Sequence, residues 1–191
     1  MGMQATSGAI DQVAVVDGGL RCHTIADAAP RGICGSGLVD AVAAGLELGW
    51  IEPSGRLEGG RKILDLSGAV HLTQGDVRQL QLAKAAIAAG IRILLDRWGA
   101  GSDEVPLVNL AGAFGNYVNR ESARRIGLID FPDERVEPIG NSALLGAKLA
   151  LFGKERTAFE YRDVLARVEH VSLASDPDFQ EIFVHEARFP D

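Results

Sequence analysis

Small residues that close apolar runs are the features of this sequence best suited to hold a ligand. Leu107-Val108-Asn109-Leu110 runs through Ala111 into Gly112-Ala113-Phe114-Gly115-Asn116-Tyr117. That pattern reads as a buried strand ending in nearly bare backbone, and open α/β sheets bind ligands outside the carboxyl ends of their strands. A nucleotide could approach there without meeting side chains. The same pattern equally serves a close-packed strand–helix junction with no ligand. Gly35-Ser36-Gly37 stands ahead of Leu38, Val42 and Leu46, spaced by four. Backbone N–H groups at such a helix start can receive an anion, although the Gly-Lys-Ser/Thr ending of a phosphate loop is missing. Cys34 beside it would be reactive if the helix start lowered its pKa, or simply a small buried apolar residue. Gly140-Asn141 opens a third small-residue helix, Ser142 to Phe152, suited to close packing or to a hinge.

No catalytic residue can be assigned from these patterns. Asp40, Asp65, Asp76 and Asp130 show no pairing that marks acid–base chemistry. The four histidines are scattered, and Cys22 and Cys34 fit no zinc or iron–sulfur spacing, so no metal site is expected and both thiols are expected to be free. Net charge is −7 with both signs interspersed, which argues against nucleic-acid binding. No apolar run reaches the ~20 residues that span a bilayer, and the start lacks a signal-peptide pattern. The expectation is a cytoplasmic protein without a membrane contact.

These candidate residues need elements to hold them. Val13–Val16, a turn at Asp17-Gly18-Gly19 and Leu20–Ile25 read as a hairpin, which must join a sheet to be stable. A helix follows from Gly35, stopping at Gly49. Pro53–Arg61 reads as a loop, and Ile63–Leu66 and Val70–Leu72 as short strands. Thr73–Trp98 is the strongest helix, capped through Thr73 and Asp76, with Val77, Leu80, Ala83 or Lys84, Ile87, Ile91, Leu94 or Leu95, and Trp98 recurring along one face. Strands are expected at Val105–Ala111, Arg135–Ile139 and Val171–Ala174. Helices are expected at Arg120–Ile126 behind Asn119, then at Ser142–Phe152, Phe159–Val168 and Asp176–Phe183. The alternation predicts an α/β layer fold with a mixed sheet and flanking helices.

Several segments together resemble a known family. They are Gly2-Met3-Gln4-Ala5 with Gly8-Ala9-Ile10, Pro30 to Ala41, Leu72-Thr73-Gln74, Gln81 to Ile87, Leu110 to Tyr117, Gly140 to Lys148, and Asp176 to Phe183. In this order they resemble the C-terminal region of ATP-dependent reductive activators of corrinoid (B12) proteins, which belong to the actin/sugar-kinase superfamily. The resemblance implies a ribonuclease-H-like half of an actin-like ATPase, with residues 1–191 as its C-terminal part. Leu110–Gly115 would match the adenosine motif and Ser142–Ala150 the second connecting helix. Gly112, Ala113, Phe114, Gly115, Gly35, Ser36, Gly37 and Asn141 are the nucleotide-contacting residues so implied. The family uses ATP with Mg2+ and carries a [2Fe–2S] domain and phosphate motifs upstream. Neither feature is present here, so the chain is expected to be a truncated piece, inactive alone. The implied partner is a corrinoid protein of a methyltransferase system whose Co(II) is returned to Co(I), and a homodimer is possible. Competing readings are a 2-hydroxyacyl-CoA dehydratase activator, a small-molecule kinase, or a non-catalytic protein-binding module.

Overall fold

The computed structural model describes residues 2–152 and 162–191. β1 (Ala9–Val16) and β2 (Gly19–Thr24) form the expected antiparallel hairpin. Asp17 and Gly18 turn the chain with φ of 51° and 75°, the primed geometry whose twist suits paired strands. β3 (Gly32–Ile33) pairs in parallel with the start of β1, giving a mixed sheet in the order β2-β1-β3.

α1 (Gly35–Glu47) follows immediately and lies on β1. The two approach so closely at Gly37 that a Cβ there would collide with the Ile10 carbonyl. β4 (Ile63–Ser67) and β5 (Val70–Thr73) make a second hairpin that feeds α2 (Gln74–Trp98). Its 25 residues span about 37 Å at 1.5 Å per residue. Thr73 caps the helix as its sequence suggests: Thr73 Oγ1 accepts from the Asp76 N–H, and Asp76 Oδ2 accepts from the Thr73 N–H at 2.7 Å.

The face α2 buries matches its spacing only in part. Val77, Leu80, Ala85, Ala89 and Ile93 are buried, whereas Ile87, Leu94 and Trp98 are exposed. Two polar side chains, Gln81 and Lys84, take core positions because backbone carbonyls need them. Gln81 Nε2 donates to the carbonyls of Ser54 and Ala187 at 3.1 and 2.9 Å, and Lys84 Nζ donates to that of Arg188 at 2.5 Å. The tail is held further by the Phe189 N–H, which donates to the Pro53 carbonyl. Phe189 itself is buried in the main core with Ile10, Val42, Leu72, Val77 and Ile126.

β6 (Val108–Ala111) starts later than the expected Val105, because Pro106 has no N–H for a ladder. α3 (Gly112–Tyr117) carries the small residues that follow β6, and α4 (Arg120–Arg125) starts from Asn119, whose Oδ1 accepts from the Ser122 N–H. β7 (Val136–Gly140) pairs in parallel with β6 and leads to α5 (Ser142–Phe152). In the expected helix at Phe159–Val168, residues Phe159–Tyr161 lie outside the described residues and 162–165 are helical.

The strand expected at Val171–Ala174 is not formed. Leu173–Ser175 is instead a single 3-10 turn, and the Leu173 side chain packs against Gly90 of α2. α6 (Phe179–Glu186) begins three residues after the expected Asp176 and packs along α2. Asp176 is occupied in the lead-in turn, where it accepts from Arg97 at 2.8 Å and from the Asp178 N–H.

Candidate nucleotide site

Two strand ends lie side by side. In the parallel pair, Ala111 of β6 is opposite Gly140 of β7, so Gly112 and Asn141 leave the same edge of the sheet. Gly112 has φ of 90° and Gly140 of 68°, conformations that residues with a Cβ adopt only under strain. A Cβ at either position would meet nothing within 4 Å, so open space lies beside both turns. Asn141 Oδ1 accepts from the Leu144 N–H at 3.0 Å and caps α5. Gly115 closes α3 against its own strand, since a Cβ there would stand 3.0 Å from Leu110.

The start of α1 reaches the same region. The Phe114 ring lies 3.2 Å from where a Cβ of Gly35 would stand, so the two helix starts meet closely there. Phe114 is half-exposed and offers an apolar ring beside the turns. The fold therefore brings Gly112, Phe114, Gly115, Gly35 and Asn141 together around the starts of α1, α3 and α5. Ala113 stands among them in the backbone of α3.

Ser36 and Gly37 have inward roles. The Ser36 hydroxyl donates to the Asp11 carbonyl at 3.0 Å and lies 3.3 Å from Cys34 Sγ, and Gly37 packs on Ile10. Cys34 is buried, and both cysteines are free. The backbone turns and the aromatic ring suit the nucleoside end of a nucleotide. Among the described residues no acid, base or cation stands at these turns with a contact that would assign it to phosphate chemistry.

Asp40 is a buried acid that its lack of pairing in the sequence did not single out. Its Oδ2 accepts from the Val13 N–H at 3.2 Å, and Oδ1 has no hydrogen-bond partner among the described residues. Burial raises its pKa, opposed by the neighbouring Ser122 hydroxyl and the Val13 N–H. Its sequence signal is an acid amid the apolar positions of α1. A cleft of about 760 Å3 lies elsewhere, between α2, the Gly127–Phe131 turn and the tail. Lys84 lines it, with a pKa lowered by burial, and none of the expected nucleotide-contacting residues does.

A family model described as the C-terminal domain of RACo, the ASKHA domain, matches residues 1–191. The chain belongs to this family. It is 33% identical to the corrinoid activation enzyme RamQ of Eubacterium limosum, over 100% of this chain and 37% of that protein. It is 27% identical to the [Co(II) methylated amine-specific corrinoid protein] reductase of Methanosarcina barkeri, over 83% of this chain and 29% of that protein. Among solved structures, the reductive activator for corrinoid, iron–sulfur protein superposes with a TM-score of 0.83 at 30% identity, covering 98% of this chain and 33% of that one. The fold is accordingly actin-like, with mixed sheet and flanking helices as expected. The chain spans about a third of the length of these relatives.

Proposed function

We propose that this chain is the adenosine-binding part of a longer ATP-dependent activator that returns the Co(II) of a corrinoid protein to Co(I). The observation that carries this reading is the parallel register of Ala111 and Gly140, which sets two open Gly turns beside the half-exposed Phe114 ring. Its relatives' names, corrinoid activation enzyme and Co(II) corrinoid protein reductase, support the reaction.

In this reading the backbone at Gly112–Gly115 lies along the nucleoside, with Gly35 and Asn141 at its borders. Ser36 and Gly37 hold α1 in place beneath. ATP with Mg2+, when bound, supplies the free energy that favours one conformation of the complex over another. The groups that act on its phosphates, and the [2Fe–2S] cluster that delivers the electron, belong to the rest of the activator. The corrinoid protein is the partner, and the activator works in the cytoplasm as a monomer or a homodimer.

The test is nucleotide affinity in the full-length activator. Phe114→Ala removes an exposed ring without emptying a core, and is expected to weaken ATP binding about tenfold by calorimetry. Unchanged affinity would remove the adenosine site from these turns. ATP-dependent formation of Co(I), followed in the visible spectrum, tests the reaction itself.

A further inference from the structure

Lys84 sits where a charge needs an opposite charge, and the described residues supply none. It is only 1% exposed, and Nζ brings three N–H donors to the interior. Among the described residues one acceptor meets them, the Arg188 carbonyl at 2.5 Å. The Phe189 ring, its centroid 5.8 Å from Nζ, adds a weaker attraction. A carbonyl and a ring do not neutralise an ammonium, and buried charges are ordinarily paired. Glu186, whose charge acts on Lys84, is engaged elsewhere: its Oε1 lies 3.4 Å from Arg92 Nη1 and 3.3 Å from His185 Nδ1. Burial accordingly pulls the Lys84 pKa down.

Lys84 lines the cleft between α2, the Gly127–Phe131 turn and the tail. Its volume of about 760 Å3 falls within the roughly 300–1,000 Å3 of small-molecule pockets. Ala88, Ile91 and Leu95 of α2 line it together with Leu128 and Phe131, so much of the wall is apolar. Charge is distributed unevenly along it. A Cβ on Gly127 would stand 3.1 Å from Lys84 Nζ, and the Gly127 N–H donates to the Arg124 carbonyl, so Arg124 belongs to the Lys84 end. Asp96 belongs to the other, about 18 Å from Lys84 along α2 at 1.5 Å per residue. Asp130 also lines the cleft, and among the described residues no ion pair engages Arg124, Asp96 or Asp130.

We propose that this cleft binds a small organic carboxylate, with its charge on Lys84 and its apolar body along Ile91, Leu95 and Phe131. The carboxylate takes the two remaining Nζ donors, and Arg124 adds attraction from the same end. One negative charge matches one buried ammonium, whereas a dianion would carry an unmatched charge between apolar walls. Asp96 and Asp130 set a further limit: the far end of the ligand is not anionic. The expected nucleotide-contacting residues are all outside this cleft, so the site is separate from the Gly turns and does not depend on the activator reading.

The experiment is calorimetry of the full-length protein with hexanoate, its neutral isostere hexanamide, and inorganic phosphate. Hexanoate should bind at least tenfold more tightly than either. Lys84→Met removes the charge but also strands the Arg188 carbonyl, so a variant that leaves that bond intact decides the question. Ala88 is half-buried on the cleft wall. Ala88→Leu should fill the space, weaken hexanoate binding about tenfold and leave the unfolding midpoint unchanged. Hexanoate that binds Ala88→Leu as well as the native protein is held on apolar surface elsewhere, and overturns the proposal. Hexanamide binding as tightly as hexanoate also overturns it, because Lys84 then contributes nothing. Phosphate binding as tightly does the same, because the apolar walls then contribute nothing. Absence of hexanoate binding at millimolar concentration would leave no carboxylate site. ATP affinity of Phe114→Ala is a separate measurement, and its result alters none of these.

Discussion

Asp40 shows how one side chain can fix a strand at a cost in stability. A carboxyl whose pKa is raised by burial binds its proton more tightly in the folded than in the unfolded chain. The folded state then gains from the protonated form below the ordinary aspartate range and loses that gain as pH rises through the raised value. Asp40→Asn keeps an acceptor for Val13 and cannot ionise. It is expected to be at least as stable as the native chain at pH 7 in urea unfolding, with the difference vanishing near pH 3. A loss of more than about 1 kcal/mol at pH 7 would mean that the carboxylate is paired. His23 carries the opposite sign. Asp11 Oδ1 lies 2.7 Å from its Nδ1, and this bond, with the charge of Asp11, raises the imidazole pKa. The contribution of that pair is complete in acid and is lost as pH climbs through the raised value. An NMR titration should place His23 above 6.5, and Asp11→Asn should lower it.

At the scale of elements, what the sequence made legible depended on how local the deciding interactions were. The Asp17–Gly18 turn, the Thr73–Asp76 cap, the Asn119 cap and the Ser142–Phe152 helix are settled within a few residues, and each was readable. The burial face of α2 was readable only in part, because Gln81 is made inward by a carbonyl more than 100 positions away. The Val171–Ala174 strand failed for a related reason: Leu173 is used against Gly90, and among the described residues no strand pairs with it. At the site, the Gly-rich turns could be picked out singly. Their convergence through the β6–β7 register and the Gly35–Phe114 contact is tertiary and had no local signal. The polar pins of α2 are themselves testable. Gln81→Leu keeps the volume and strands the Ser54 and Ala187 carbonyls, and should cost about 1–3 kcal/mol in denaturant unfolding. Little change would mean that water takes over the two carbonyls.

For the molecule as a whole, the main core and the β6–β7–α5 region are in contrasting states. β1, α1, β4, β5, α2, α4 and the tail residue Phe189 share one core, with Ile10, Leu72 and Val77 fully buried. α5 has no comparable packing. The 191-residue chain should therefore bind a hydrophobic dye in its native state, and Leu145→Lys should reduce that signal without lowering the unfolding midpoint by more than a few tenths of a kcal/mol. A chain that binds no dye would show that α5 finds cover on its own.

The bond from Lys84 to the Arg188 carbonyl also sets a schedule for synthesis. Its two ends are 104 positions apart, roughly 5–20 s of translation at 5–20 residues per second. Throughout that interval α2 can form, since its cap is local, but Gln81 and Lys84 have no tail to receive them. The nascent helix must keep this polar side toward water, and its apolar neighbours Val77 and Ala85 only half-engaged, until the tail arrives. Final closure of the core thus waits for the tail, and a ribosome stalled between completion of α2 and synthesis of Arg188 would hold a chain with its longest described helix made and its centre open.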